Sequence, residues 1–365
     1  MDYTLTEEQS LLRDTARSYF AKTADPTASA GKSKKIWDDI SSMGWLAITV
    51  PVECGGIGGS IVDGCLLARE FGRSRVTVPF AETAILGPLA FANQPEMLEK
   101  IAAGNAKLAF SLQDDEPLVY EASGSGYILR GTRSFTRCDA DATVLVVKAI
   151  NTNENSPALF ACPIGSPSSK VTRFSTLDGV GAVGVTFEPT GLSSDTCLTS
   201  PMGNPDLFDT LKLYECLAFS AEAIGLMEFL VNTTREYTMT REQFGQPLTN
   251  FQVVRHKLVE MYAYSQLAES LVFQAADTLF RLGPVTEAVQ AVRAAFSFVG
   301  RQGRRVGKEA IQLHGAIGTM DEVPVGHAFA RLVAISQSCG GAASHERSYA
   351  REAIAVGDSS RLWAL

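Results

Sequence analysis

At 365 residues, with 45% hydrophobic and 20% charged side chains, the chain can bury two or three cores and has the balance of a soluble globular enzyme. A formal net charge of -8 argues against nucleic acid as a partner, while leaving room for an anionic ligand in a locally basic pocket. Seven cysteines scattered singly without CxxC spacing, and four unclustered histidines, predict reduced thiols, a cytoplasmic setting and no metal site.

The opening stretch, MDYTLTEEQSLLRDTARSYF, has neither the charged n-region nor the apolar h-region of a leader, and no apolar run reaches a membrane span. Thr6 before Glu7 and Glu8 reads as a helix start, and Leu11, Leu12, Ala16 and Phe20 recur at helical spacing. Gly44–Gly59, GWLAITVPVECGGIGG, is rich in turn residues, and a helix is expected over Ile61–Phe71. Residues 1–107 therefore read as an N-terminal helical domain.

Between residues 108 and 205 the pattern changes to short alternating runs: Lys107–Leu112, Gly126–Arg130, Thr143–Ala149, Ala158–Pro163 and Val180–Glu188. These predict an antiparallel β domain, a small barrel or sandwich, with a polar hairpin connection at Asn151–Ser156. From 206 to 365 the chain is helical again. Leu211–Tyr237, Phe251–Leu282 and Val285–Leu313 are long apolar-striped helices with short joins, the pattern of a four-helix bundle.

Two segments in this last zone carry chemistry: Arg241–Gln252, REQFGQPLTNFQ, and Gln312–Gly318, QLHGAIG. An arginine offers a diphosphate a forked cation, and glycines let backbone N–H groups come close, with a helix starting just after them adding its dipole. The two segments together resemble the flavin-binding signatures of the acyl-CoA dehydrogenase family. The order of helices, β domain and bundle resembles that family along the whole chain. The resemblance implies FAD, with its diphosphate and adenosine end on Arg241, Phe244, Gln252, Gln312, Gly315 and Gly318, partly across a subunit boundary. It also implies α,β-dehydrogenation of an acyl-CoA thioester, and an acceptor of the electron-transfer-flavoprotein type.

Such a reaction needs a carboxylate beside the acidic α C–H. In many family members it is a glutamate in a Tyr-Glu-Gly turn, and the gapless match in RLVAISQSCGGAASHER falls on Gly340, which has no side chain. A minority carry the base near the start of the long helix before RxxFG, and that position falls here on Glu215. The family arginine beside it is replaced by Cys216. Glu222, two turns further on the same face, is the second candidate, with a structural role the alternative reading of its AEAIG segment. His345 is a pocket or packing residue, His314 and His327 are read as packing residues, and Glu322 as a loop stabiliser.

The β domain departs from the family. The usual MTEPxxGSD run corresponds to Ser111–Val119, SLQDDEPLV, which keeps only Glu116 and Pro117 in part. The run over the flavin face becomes SFTRC, where Phe135 can replace the usual tryptophan as a stacking ring and Arg137 stands in place of a small hydroxyl residue. Such departures resemble subunits of heteromeric bacterial steroid side-chain acyl-CoA dehydrogenases, in which two related chains share a site. Three readings follow: a catalytic subunit, in a homo-oligomer or an α2β2 heterotetramer, with Glu215 as base; a non-catalytic subunit giving FAD contacts to a partner chain; or an oxidase or nitrogen-substrate flavoprotein. Small residues around Gly340 favour a bulky or branched acyl group.

Overall fold

Thr6 starts the first helix as its sequence predicts. Its Oγ1 accepts from the Gln9 N–H at 3.2 Å, and the Gln9 side chain accepts from the Thr6 N–H at 3.2 Å. The computed structural model describes residues 5–23, 30–113, 118–165, 169–198 and 206–355. Along the chain come α1 (Glu7–Thr23), α2 (Ala30–Ser42), α3 (Ile61–Ser74), a π-helix at Ala81–Leu86, α4 (Gly87–Ala90) and α5 (Pro95–Ala102). Seven strands follow: β1 (Leu108–Ser111), β2 (Leu118–Ser123), β3 (Gly126–Arg137), β4 (Val144–Asn151), β5 (Pro157–Pro163), β6 (Ser169–Phe174) and β7 (Ala182–Ser193). Then come α6 (Asp206–Thr240), the short pair β8 (Glu242–Gln243) and β9 (Gln246–Pro247), α7 (Gln252–Leu282), α8 (Thr286–His314), α9 (Pro324–Gln337) and α10 (Ala342–Ala355).

The chain divides into two compact units, one of Met1–Lys34, Ser60–Thr77 and Cys216–Leu365, the other of Lys35–Gly59 and Val78–Glu215. In the first, α3 is capped by Ser60 and Asp63 in a second capping box. It buries two charges and pairs both. Glu70 accepts from Arg17 at 3.0 Å and from Arg73 at 2.8 Å, and Arg69 reaches Glu228 at 3.0 Å and Glu269 at 2.8 Å. These bonds tie α3 to α1, α6 and α7. A buried charge without such partners would be costly.

Helices α3 and α6 touch backbone to backbone. A Cβ on Gly225 would lie 1.9 Å from the Arg69 carbonyl oxygen, and one on Gly72 would lie 1.9 Å from that of Glu222. The glycine of AEAIG is therefore a packing requirement. Helix α6 is long and apolar enough to cross a membrane over Leu207–Thr240, but 67% of its most apolar window is buried, as in a core helix.

The second unit is built on one mixed seven-stranded sheet in the order β1-β4-β2-β3-β7-β6, with β5 on β4. The expected all-antiparallel pattern needs correction. Both β1 and β2 run parallel to β4, pairing with different stretches of it. Two strands were not foreseen, β2 behind Pro117 and the mostly exposed β6. One core cluster includes Leu86, Phe91, Leu98, Ile101, Leu108, Val146 and Leu211, and another centres on Tyr120, Leu129, Phe160 and Phe187. The Asn151–Ser156 hairpin forms as read, with Asn151 Oδ1 accepting from the Asn153 N–H at 2.8 Å and Asn155 in the left-handed region.

Candidate functional site

In the first unit, α6 ends at Thr240 and Arg241 leads into the β8–β9 hairpin, which closes with Leu248 N–H on the Arg241 carbonyl at 2.9 Å. Its tip is Phe244-Gly245, with φ of 53° and 80°. Two consecutive positive φ values suit the twist of a tight hairpin, but this conformation strains a residue with a bulky side chain. The Phe244 ring is 92% exposed, edge-on to Phe251 at 6.1 Å. Arg241 is exposed, as is Gln252, the first residue of α7. No ion pair to the Arg241 guanidinium occurs among the described residues.

The second motif is joined to the first by one stack. Tyr237, one turn before Arg241, lies 4.4 Å from the His314 ring at 19°, and its hydroxyl reaches the His314 carbonyl at 3.4 Å. His314 is buried, as expected of a packing residue, and burial pushes its pKa down. The neutral ring donates from Nδ1 to the Ala310 carbonyl at 2.8 Å. The ends of α6 and α8 are thereby held together, bringing the Arg241 hairpin and the Gln312 loop to one end of the helices.

Gln312 points outward, exposed. Gly315, at φ 65°, caps α8 through its N–H, and a Cβ there would meet nothing within 4 Å. Gly318 is buried, where a Cβ would come within 3.0 Å of the Ile311 carbonyl. One expectation is corrected: no α-helix starts just after these glycines. A 3-10 turn spans Gly315–Thr319 and α9 begins only at Pro324, so approach here relies on open backbone and Arg241, without that helix's dipole. His327 is exposed rather than packed, with Nε2 donating to the Asp321 carbonyl at 2.9 Å. An exposed arginine without an ion-pair partner among the described residues, at the same end of the helices as the open backbone of Gly315, fits the diphosphate end of FAD.

Glu215 is half-buried on α6. Glu222 is engaged on both oxygens by Arg331, at 2.5 and 2.6 Å, with both side chains largely buried. A carboxylate so committed is a poor proton acceptor and a good strut between α6 and α9. Glu222→Ala is expected to destabilise the protein by about 3 kcal/mol by stranding Arg331, and Glu222→Leu with Arg331→Met to recover most of it. Chemical denaturation of the single and double variants checks this; an equal loss in both would contradict it.

The turn where the family glutamate is missing is three left-handed residues in a row, Cys339, Gly340 and Gly341, with φ of 55°, 81° and 84°. A Cβ on Gly340 would meet nothing within 4 Å. His345 Nε2 lies 2.8 Å from the Cys339 carbonyl and 3.8 Å from Cys216 Sγ, with Phe296 edge-on at 5.0 Å. Burial pulls its pKa down, but the bonds to Cys216 and Cys339 more than offset this and leave it raised.

In the second unit, β3 carries an irregularity between Arg133 and Thr136, leaving Phe135 49% exposed. Arg137 is clamped by Asp178 at 2.5 Å, and the Thr176 hydroxyl donates to the other Asp178 oxygen at 2.7 Å. A guanidinium fixed in place of a small hydroxyl does not fit the ring half of a flavin as the diphosphate end is fitted. Glu116 and Pro117 lie outside the described residues. Arg331, Tyr237 and Asp178 escaped sequence reasoning, since each acts through a residue far off in the chain.

Comparison with known proteins accounts for these features. Residues 6–106 match the model of the acyl-CoA dehydrogenase N-terminal domain, and residues 213–353 that of the acyl-CoA dehydrogenase C-terminal domain. The chain is 27% identical over 334 residues to acyl-CoA dehydrogenase FadE27 of Mycobacterium tuberculosis, covering 87% of this chain and 88% of that one. In fold it is similar to a chain of the ChsE4-ChsE5 complex from Mycobacterium tuberculosis, with TM-score 0.88, 23% identity and coverage of 96% and 98%. It is also similar to a chain of a variant of the Tcur3481-Tcur3483 steroid ACAD, with TM-score 0.86, 24% identity and coverage of 97% and 99%. The N-terminal helices, central sheet and C-terminal helices are those of one fold, and the chain belongs to the acyl-CoA dehydrogenase family, oxidoreductases that act on CH–CH bonds.

Proposed function

We propose that this chain is a subunit of an FAD-dependent acyl-CoA dehydrogenase that holds the diphosphate end of the flavin across a subunit boundary. The observation that carries this is the end of the helices where Arg241, Phe244, Gln252 and Gln312 are all exposed, with Phe244 strained into solvent. Strain maintained on a protruding aromatic ring is explained by something that covers it. The substrate is a bulky or branched acyl-CoA, a steroid side chain being the class suggested by the steroid enzyme of similar fold. The partner is a second copy or a related chain, as in the two-component complexes of the same fold. An electron-transfer flavoprotein is the natural acceptor.

Bound FAD supplies the hydride acceptor. The chain's own part is to position and to take a proton. Arg241 binds the diphosphate, Gly315 keeps backbone open to it while Gly318 lets the loop pack closely on Ile311, and Glu215 receives the substrate α-proton at a carboxylate oxygen.

A second reading is favoured by the Arg137–Asp178 clamp and the empty side-chain position at Gly340. In it this chain gives only the diphosphate contacts, and a related chain supplies the ring contacts and the base. Arg241→Ala tests what both readings share. It is expected to weaken FAD binding about tenfold or more, with thermal stability unchanged because no ion pair among the described residues depends on the Arg241 side chain. Wild-type flavin affinity in this variant would sink the assignment.

A further inference from the structure

The second unit holds a cavity that the proposed chemistry does not use. It lies where the end of β7 meets the start of β3, with Ser193 paired to Gly126. A 3-10 turn at Ser194–Thr196 leads from there into Cys197, which bridges to Phe160 of β5, and the Leu198 N–H donates to the Leu159 carbonyl at 2.8 Å. On the other side Gln94, at the start of α5, donates from Nε2 to the Asp195 carbonyl at 2.9 Å. The wall is thus tied to two neighbouring elements. The space it encloses with Tyr127 of β3 is about 500 Å³ and opens to solvent, a volume in the range of small-molecule sites.

The lining is apolar on the inside and polar at the mouth. Ala90 is buried, Leu198 and Tyr127 are half-buried, and Asn93 and Asp195 are exposed. The Tyr127 ring is held edge-on to Tyr120 at 5.7 Å and to Phe160 at 5.3 Å. Burial pushes the Tyr127 pKa up and a bond to the Cys197 sulfur adds to this, so the hydroxyl keeps its hydrogen and donates it to sulfur. The Tyr127 oxygen is then left as an acceptor. Behind it Tyr120 is 1% exposed, and its hydroxyl, within electrostatic reach of Tyr127, is buried with no hydrogen-bond partner among the described residues. A buried hydroxyl left unpaired beside a cavity wall is what a bound donor would pair.

Among the described residues, Asp195 is the one charged side chain lining the cavity, and no basic side chain pairs with it. Gln94 has an N–H committed to the Asp195 carbonyl and keeps its side-chain oxygen. Carboxylate, phenol oxygen and amide oxygens make the lining rich in acceptors.

We propose that this cavity binds a small organic cation, a primary ammonium on an apolar or aromatic body, with the ammonium on Asp195 and the Tyr127 oxygen and the body against Ala90, Leu198 and the Tyr127 ring. An ammonium has three donors and no acceptor, the complement of such a lining. An aromatic ring in the wall attracts a cation further. An anion meets Asp195 with no cation to hold it, and a neutral head leaves the carboxylate without a counter-charge. Tyr127 and Phe135 stand at opposite ends of β3, so the site goes beyond the flavin reading and does not rest on it.

Three probes share a phenylalkyl body and differ in the charge of the head: 2-phenylethylammonium, 3-phenylpropan-1-ol and 3-phenylpropanoate. Each is titrated into the purified chain at pH 7 and followed by ligand-observed NMR. The ammonium is expected to bind about tenfold more tightly than the alcohol, and the carboxylate most weakly of the three. Asp195→Asn is expected to weaken the ammonium about fivefold and leave the alcohol unchanged. Tyr127→Phe keeps the ring and its packing but removes the acceptor, and is expected to weaken the ammonium about threefold. Thermal melts of the same samples check that both variants stay folded. Equal binding of ammonium and alcohol, an ammonium affinity unchanged in folded Asp195→Asn, or no binding of the ammonium overturns the proposal.

Discussion

Replacing Glu215 with glutamine is expected to lower turnover about a thousandfold while flavin content and melting temperature stay at wild-type values. The α C–H of a thioester is a weak acid, and an enzyme that breaks this bond needs a carboxylate within reach of it. The Gly340 turn offers none: its left-handed residues Cys339, Gly340 and Gly341 carry no carboxylate, and Gly340 has open space where a side chain would be. Glu222 is committed to Arg331 through both oxygens. Glu215, half-buried on α6 and followed by Cys216, is the carboxylate proposed as the base. Glutamine keeps the shape and loses the proton acceptor, so chemistry is removed without removing structure. Anaerobic mixing with a branched acyl-CoA separates the outcomes: flavin in the variant should stay oxidised where wild type bleaches. Bleaching at the wild-type rate would assign the base to a partner chain and favour the second reading.

Gly225→Ala is expected to cost about 3 kcal/mol, among the largest losses from adding a single methyl to this protein. The added Cβ would sit 1.9 Å from the Arg69 carbonyl and 2.4 Å from the Arg73 backbone nitrogen, and neither is the movable end of a side chain. Helices α3 and α6 would have to part. Their separation would strain the pairs of Arg69 with Glu228 and Glu269 at the same junction. In an open helix the same substitution would stabilise by up to about 1 kcal/mol, so the sign of the change tests the contact. Urea unfolding reads it directly, and an unchanged or raised midpoint would show that the helices do not meet here.

What the sequence discloses is what lies close together along it. The Arg241 and Gln312 segments are legible because glycine, arginine and hairpin chemistry are local. Helices α7 and α8 are legible because apolar positions recur every turn, and α6 because its apolar run is long and nearly unbroken. Tyr237 on His314, Glu222 on Arg331 and Gly225 on α3 are contacts between residues far apart in the chain, invisible until the helices pack. Strand β6 was missed because its residues are mostly exposed and lack a buried alternation, and β2 because its apolar run is short and opens behind Pro117. The π-turn at Ala81–Leu86 has no local code. The dipole expected behind Gly318 failed because a 3-10 turn and a loop intervene before Pro324.

The central claim is that flavin is held at the exposed Arg241–Phe244 end across a boundary between chains. Native mass spectrometry of the purified chain over a dilution series, with flavin absorbance on the same samples, tests it most directly. Every FAD-bearing species should contain at least two chains, flavin should leave as the oligomer dissociates, and Arg241→Ala should carry less FAD at equal oligomer content. A monomer that keeps stoichiometric FAD on dilution, with Arg241→Ala loaded as fully as wild type, would contradict the account.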